Sequence, residues 1–275
     1  MPEFFTAAVL FLVGISLGSF LNVVVSRLGS ASPSLAGRSR CDHCKKPLQW
    51  FELIPLLSFT IQSGRCRSCG GVIPLRYPLL ELFSGLAVVL VGLAAFSGSL
   101  TLPFKAPLDA PLSQMAAFLY YLFFAFFALA IAAYDFERFL VPRVLLLPLL
   151  AAGVLAHLLA AFGSGTFGGL GLTLATAAGG YLFFAAVWLL SRGRAMGLGD
   201  AEVASVLAFY LPPLGLGLAV ILAFFSGALL GSGFVLARKL TWQSRIAFTP
   251  LLFFGAFLSL FFRDGIIEWY LRFLS

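Results

Sequence analysis

The sequence predicts an all-α integral membrane protein of about eight transmembrane helices with one small polar loop domain. Of its 275 residues, 61% are hydrophobic and only 11% are charged, whereas a soluble domain is nearer half apolar and a quarter charged. The apolar residues also come in repeated runs of roughly 20. A run of that length crosses the bilayer as a helix, which satisfies its backbone groups internally.

Eight apolar runs are predicted to be helices. They are about Phe4–Val25, Tyr77–Ala95, Gln114–Tyr134, Val144–Phe162, Leu170–Leu190, Ala201–Leu211, Gly215–Leu236 and Ile246–Phe262. The sixth is too short to span fully, because Pro212 and Pro213 interrupt it. A half-helix at the membrane edge suits a functional site, since irregular backbone at that depth must be shielded from lipid. The tail 263–275 is amphipathic and is predicted to lie in the interface.

The positive charge indicates topology and not nucleic-acid binding. The formal net charge is +7, and the basic residues gather in a few loops. Five of them follow the first helix, namely Arg27, Arg38, Arg40, Lys45 and Lys46. By the positive-inside rule, this loop lies in the cytoplasm and the N-terminus lies outside. The expected partner of the basic loop is therefore membrane lipid, with no nucleic acid.

The four cysteines form two Cys-x-x-Cys pairs, Cys41/Cys44 and Cys66/Cys69, with 21 residues between them. This is zinc-ribbon spacing, and a reducing cytoplasmic loop favours metal over disulfides. Four thiolates complete the shell of Zn²⁺, so the predicted zinc is structural. The predicted division is a first helix, a cytoplasmic zinc-binding loop domain and a transmembrane catalytic core, at residues 1–26, 27–76 and 77–275.

Two acidic residues are placed unlike the others. Asp135 ends the third predicted helix, and Asp200 opens the sixth after Gly197-Leu198-Gly199. Both are predicted to lie at the cytoplasmic edge of the bilayer, where an acid is costly and suggests a function. The two glycines are expected to admit a substrate backbone and unusual dihedrals. The alternative for Asp200 is a simple helix N-cap, and for Asp135 a solvated residue at a helix end.

Paired carboxylates can hydrolyse a peptide bond without metal. Two acids a few ångströms apart cannot both ionise, so one retains a proton. The ionised partner takes a proton from water, and the protonated one polarises the scissile carbonyl. Because the titration belongs to the pair, the acid and the base are not assigned individually.

With these residues considered together, the chain resembles the bacterial type IV prepilin peptidases over most of its length. Four segments carry the resemblance, and their occurrence in this order is specific. They are Gly18–Val24, the two Cys-x-x-Cys pairs followed by Arg76–Leu82, Asp135 followed by Pro142, and Gly197–Asp200.

The resemblance implies an inner-membrane aspartic protease that cleaves the basic leader of prepilins and type II secretion pseudopilins at the cytoplasmic face. It implies Asp135 and Asp200 as the catalytic pair and the four cysteines as the zinc ligands. Many members also methylate the new N-terminus with S-adenosylmethionine, but the sequence does not place that pocket. Glu81 is a candidate for this second activity or a buried structural acid.

Two residues depart from the family pattern. Members commonly have an acid where this chain has Arg143, and a lysine where it has Glu202. Glu202 is expected to increase carboxylate repulsion near Asp200.

Other functions remain open at this stage. Tyr134-Asp135 with Gly-x-Gly-Asp also resembles intramembrane aspartic proteases of the presenilin and signal-peptide-peptidase type. An inactive assembly scaffold is a further alternative. A proton-coupled transporter is disfavoured, because no inverted repeat is evident.

Overall fold

The computed structural model describes residues 2–28, 37–105, 108–194, 196–238 and 246–274. Over these residues the chain is helical, and no strand is formed beyond two isolated bridges. The α-helices are α1 Pro2–Leu28, α2 Leu57–Ile61, α3 Arg76–Phe96, α4 Ala110–Arg138, α5 Arg143–Ser164, α6 Gly168–Leu190, α7 Leu198–Leu207, α8 Pro213–Leu236 and α9 Thr249–Leu274.

The predicted multi-span helical architecture is confirmed. Within the described residues, seven helices are long and apolar enough to cross a membrane: α1, α3, α4, α5, α6, α8 and α9. The difference from eight is α7, whose 10 residues reach about 15 Å, half of a hydrocarbon core. The predicted interfacial tail is continuous with α9, which runs unbroken to Leu274.

Helices α1 and α3 pack at close range through glycine. A Cβ atom on Gly14 would lie 2.7 Å from the Cα of Gly85, and one on Gly18 would lie 2.6 Å from the Cα of Glu81. Neither position has room for a larger side chain. Contacts between small residues are a common way for helices to associate in lipid, because the hydrophobic effect does not drive helices together there and close packing must do so.

After α7 the chain continues as irregular backbone that is buried in the bundle. Phe209 and Tyr210 are almost fully buried. Their carbonyls accept hydrogen bonds from the Tyr120 hydroxyl at 2.7 Å and the Tyr121 hydroxyl at 3.3 Å. Since unpaired backbone groups are costly away from water, these tyrosines make the interruption after α7 possible.

The loop domain contains two similar knuckles. In the first, Cys41 N–H donates to the Lys46 carbonyl, and in the second, Cys66 N–H donates to the Gly71 carbonyl. In each knuckle the residue directly after the second cysteine has a positive φ: Lys45 at 59° and Gly70 at 70°. Residues 29–36 of the predicted domain lie outside the described part of the chain.

Candidate active site and metal centre

Asp135 lies in the last turn of α4 and is only 5% exposed. The helix ends three residues later at Arg138, because Phe139 adopts a left-handed conformation with φ of 55° and donates its N–H to the Asp135 carbonyl. A positive φ is unusual for an aromatic residue and is held by its surroundings. The alternative of a solvated acid at a helix end is therefore wrong for this side chain.

Asp200 is the third residue of α7 and is 7% exposed. Its Oδ2 accepts the N–H of Gly197 at 3.2 Å. The helix-capping alternative is thus correct in part, although Asp200 caps from inside the first turn. One carboxylate oxygen remains for another contact.

Thr249 joins the two acids. Its hydroxyl donates to Oδ1 of Asp200 at 2.9 Å, and both its hydroxyl and its backbone N–H interact with the Asp135 carboxylate. Thr249 is completely buried, and the two carboxylates also interact electrostatically with each other. Residues 65 positions apart in the chain therefore lie beside the same buried threonine.

The surroundings of Asp200 favour its protonated form. Burial raises the pKa of this carboxyl above its usual value, because desolvation penalises the charged state. The hydrogen bonds from Thr249 and Gly197 oppose the rise. The site thus holds an acid that gains a proton more readily than a solvated aspartate.

The glycines beside Asp200 do not adopt the unusual dihedrals that were expected. A Cβ on Gly199 would lie 2.8 Å from the Cγ2 of Val141, in the connection between α4 and α5. Gly197 has an ordinary extended conformation with φ of −82°, so the expectation of unusual dihedrals is wrong. Gly199 instead lets the segment after Asp135 pack against α7, which brings the two acids together.

The two residues that depart from the family pattern form an ion pair. Arg143 Nη2 lies 2.5 Å from Oε1 of Glu202, and its Nε lies 3.3 Å from Oε2. The pair joins the first residue of α5 to α7. Arg143 lies against the Glu202 carboxylate, and a paired positive charge reduces the repulsion that Glu202 was expected to exert on Asp200.

The four cysteines converge as predicted. The Sγ atoms of Cys41, Cys44, Cys66 and Cys69 all lie within 4.8 Å of one another, and those of Cys41 and Cys69 are 3.9 Å apart. Tetrahedral Zn–S bonds of about 2.3 Å place sulfurs about 3.8 Å apart. Backbone N–H groups of Ser68 and Cys69 lower the pKa of Cys66 to about 7, which favours the thiolate that a metal needs. The set fits a closed zinc site.

Sequence reasoning missed Thr249 and the Arg143–Glu202 pair. Thr249 precedes Pro250 at the start of α9, a pattern that indicates only a helix start. The pair could have been suspected from the opposite signs of the two departures. No local pattern could reveal which acid the hydroxyl faces.

Comparisons with known proteins show which family the chain is similar to. Residues 12–95 match the family described as bacterial peptidase A24 N-terminal domain, and residues 122–232 match the type IV leader peptidase family. Among similar curated proteins are the prepilin leader peptidase/N-methyltransferases of Aeromonas hydrophila, 32% identical over 96% of this chain and 93% of its own length, and of Bacillus subtilis (strain 168), 32% identical over 96% and 98%. No solved structure matches the chain.

Proposed function

The chain belongs to the type IV leader peptidase family, and on that premise we propose that it is a membrane aspartic endopeptidase whose catalytic residues are Asp135 and Asp200. Its substrates are type IV prepilins or type II secretion pseudopilins, from which it removes the basic leader peptide. The observation that carries the proposal is that both buried carboxylates neighbour Thr249, whose hydroxyl donates to Oδ1 of Asp200.

The pair provides both an acid and a base. Two buried carboxylates that interact electrostatically share one proton, because two like charges close together and away from water are costly. The ionised member takes a proton from a water molecule as its oxygen attacks the scissile carbonyl, and the protonated member donates to the carbonyl oxygen. The nitrogen of the leaving peptide then takes up a proton as the C–N bond breaks.

The location of the pair suits a substrate that is itself membrane-bound. A prepilin is an apolar helix with a basic leader, which the positive-inside rule keeps in the cytoplasm. The scissile bond then lies at the cytoplasmic face of the bacterial inner membrane. Asp135 ends a spanning helix on the side of the basic loops, so the substrate reaches the acids by moving laterally in the lipid.

A second reaction follows from the same premise. After leader removal the new N-terminus is methylated with S-adenosylmethionine as methyl donor. The zinc site holds the loop domain together and has no open ligand position for a catalytic water.

Asparagine variants test the catalytic pair. Purified protein is incubated with a prepilin, and mass spectrometry measures leader removal. We expect Asp135→Asn and Asp200→Asn each to lower the rate by at least about 10³-fold, because asparagine keeps the size of the side chain but cannot exchange the proton.

Asp264→Asn is the matched control, since Asp264 is exposed and contacts Arg263. It should cleave like the wild type. A folded Asp200→Asn protein that cleaves within tenfold of the wild type would refute the proposal. Cleavage deep within the apolar helix of the substrate would favour the presenilin-type alternative, and pilus assembly supported by Asp200→Asn would favour a scaffold.

A further inference from the structure

The loop domain exposes a group of large apolar side chains between its two knuckles. We call residues 50–61 the apolar segment, which contains the short helix α2. Trp50 is 75% exposed, Leu57 52% and Ile61 74%, and no residue after Glu52 in this segment is charged. Single apolar residues on a surface are ordinary, but a group of them marks a contact with another protein or with a membrane.

The two faces of α2 have different surroundings. Ser58 and Phe59 line a cavity between the apolar segment, α1 and the start of α3. Leu57 and Ile61 lie one turn apart and so share the other face of the helix, where both are exposed. The packing of the loop domain therefore decides which apolar side chains remain uncovered.

The apolar segment lies beside the ends of two spanning helices. The N–H of Leu56 donates to Oε2 of Glu81 at 2.8 Å, and the Glu81 side chain also interacts with Ser19 of α1. Glu81 lies about 7.5 Å along the axis from Arg76, the first residue of α3, and Ser19 lies about 13.5 Å from Leu28, the last residue of α1. Since α3 is about as long as the hydrocarbon core is thick, roughly 30 Å, this contact lies within the depth of the bilayer.

The cavity behind α2 has polar groups at the same depth. Ser19 and Asn22 of α1 and Glu81 of α3 belong to its wall. Polar groups that face hydrocarbon are costly, so a wall must separate this cavity from lipid. The apolar segment has the two faces that such a wall needs, with Ser58 toward the cavity and Ile61 away from it.

Basic side chains flank the apolar segment. Lys45 and Lys46 precede it, Arg65 and Arg67 follow it, and all four are exposed. The guanidinium of Arg67 lies over the ring of Phe51, 5.4 Å from its centroid, which holds one of these charges directly at the apolar segment. An apolar stretch with exposed aromatic residues and basic flanks is typical of a segment that lies in the headgroup region of an anionic leaflet.

We infer that the apolar segment is inserted into the membrane on the side of the basic loops, with Trp50, Leu57 and Ile61 in contact with lipid. Arg65 and Arg67 then lie at the level of the anionic headgroups. Interfacial helices commonly insert their apolar face by about 5–10 Å, which matches the depth of the contact with α3. The loop domain is thus anchored to the bilayer at its centre and does not stand free in the water. This inference concerns the membrane and is independent of the proposed peptidase.

Quenching of tryptophan fluorescence tests the inference on the full-length, zinc-loaded protein. The protein is placed in nanodiscs of phosphatidylethanolamine and phosphatidylglycerol, and the signal of Trp50 is the difference between the wild type and Trp50→Phe. A phospholipid with a nitroxide near the top of its acyl chain should reduce this signal at least about twofold, because an inserted tryptophan lies at that depth. Acrylamide in the water should have little effect.

A matched pair of variants tests which face of α2 contacts lipid. Ile61→Glu places a charge on the exposed face, and Gln62→Glu places the same charge at a neighbouring residue that lines the cavity. A carboxylate is costly in lipid, so Ile61→Glu should abolish at least about half of the nitroxide quenching of Trp50. Gln62→Glu should leave that quenching unchanged.

Several results would overturn the inference. Quenching of Trp50 by acrylamide and not by the nitroxide lipid would place the surface in water, as would an unaltered signal in folded Ile61→Glu. Protection from acrylamide that arises only when a prepilin is added would assign the surface to the substrate helix. Equal nitroxide quenching in nanodiscs of phosphatidylcholine alone would overturn the part given to Arg65 and Arg67.

Discussion

Thr249 lies beside both carboxylates of the proposed catalytic pair. Its side chain has one hydrogen to donate, and the hydroxyl donates it to Oδ1 of Asp200. This bond favours the ionised form of Asp200 and fixes the direction of its carboxylate. Thr249 therefore acts through the aspartates and is a positioning residue.

Replacing this hydroxyl should change the pH dependence of cleavage. The Thr249 hydrogen bond lowers the pKa of Asp200 against the rise caused by burial. Thr249→Val keeps the shape but removes that bond, so the pKa should rise further. Since cleavage requires one ionised carboxylate, we expect the acidic limb of the pH–rate profile to move to higher pH, and kcat at pH 6 to fall by at least about tenfold.

Thr249→Ser distinguishes the contribution of the hydroxyl from that of the methyl group, because serine keeps only the hydroxyl. It should restore most of the rate and the position of the acidic limb. If serine and valine variants were equally impaired, packing of the methyl group would be the cause. An unshifted profile in Thr249→Val would contradict the assigned role.

The aspartates and the threonine differ in how far sequence predicts them. Asp135 and Asp200 stand out because charged residues next to long apolar runs are rare and costly. Thr249 is a small polar residue at a helix start, where such residues are ordinary. Its contact with Asp200 is set by how α9 packs on the rest of the bundle. That packing depends on many distant residues and has no local pattern.

At the scale of elements, α7 owes its position to contacts that the sequence shows only in part. The short apolar run and Pro212-Pro213 correctly predict a helix that ends within the bundle. The tyrosine hydroxyls that donate to the carbonyls of Phe209 and Tyr210, just after α7, come from α4, 89 residues away in the chain. Gly199 likewise must lack a side chain because Val141, in the connection between α4 and α5, packs against it. These glycine and tyrosine roles are tertiary and become visible only when the helices are assembled.

The ion pair between Arg143 of α5 and Glu202 of α7 should tolerate an exchange of its two charges. Arg143→Glu alone places like charges together, and Glu202→Lys does the same, so each should lower the free energy of unfolding by about 0.5–1 kcal/mol. The double variant should recover most of that loss, since the two charges attract again. Thermal unfolding and cleavage rates of all four proteins complete the double-mutant cycle.

A cycle in which the two losses simply add would show that the contact contributes nothing. The expected energy is small because the Arg143 side chain is 73% exposed, and exposed pairs are screened by water and salt. The pair therefore adjusts the position of α7 more than it stabilises the whole fold.

At the scale of the molecule, the chain has two functional parts that meet at one end of the bundle. The matched N-terminal segment, 12–95, contains the four cysteines, and the matched C-terminal segment, 122–232, contains both aspartates. The Arg76–Glu137 ion pair connects them. Thr249 lies beyond the second segment, so the site draws on more of the chain than either match covers.

This arrangement predicts that the loop domain depends on zinc more than the two aspartates do. The metal would hold the two knuckles together through all four cysteines. The aspartates lie instead on α4 and α7, and the hydroxyl that donates to Asp200 comes from Thr249 of α9, outside the loop domain. Chelation should therefore expose the loop domain to proteolysis while it lowers the rate of leader removal much less. Limited proteolysis, mapped by mass spectrometry, and leader removal are measured on the same chelated sample, and Zn²⁺ is then added back. Equal loss of both, or a loop domain that resists proteolysis after complete removal of zinc, would contradict this division between the two parts of the chain.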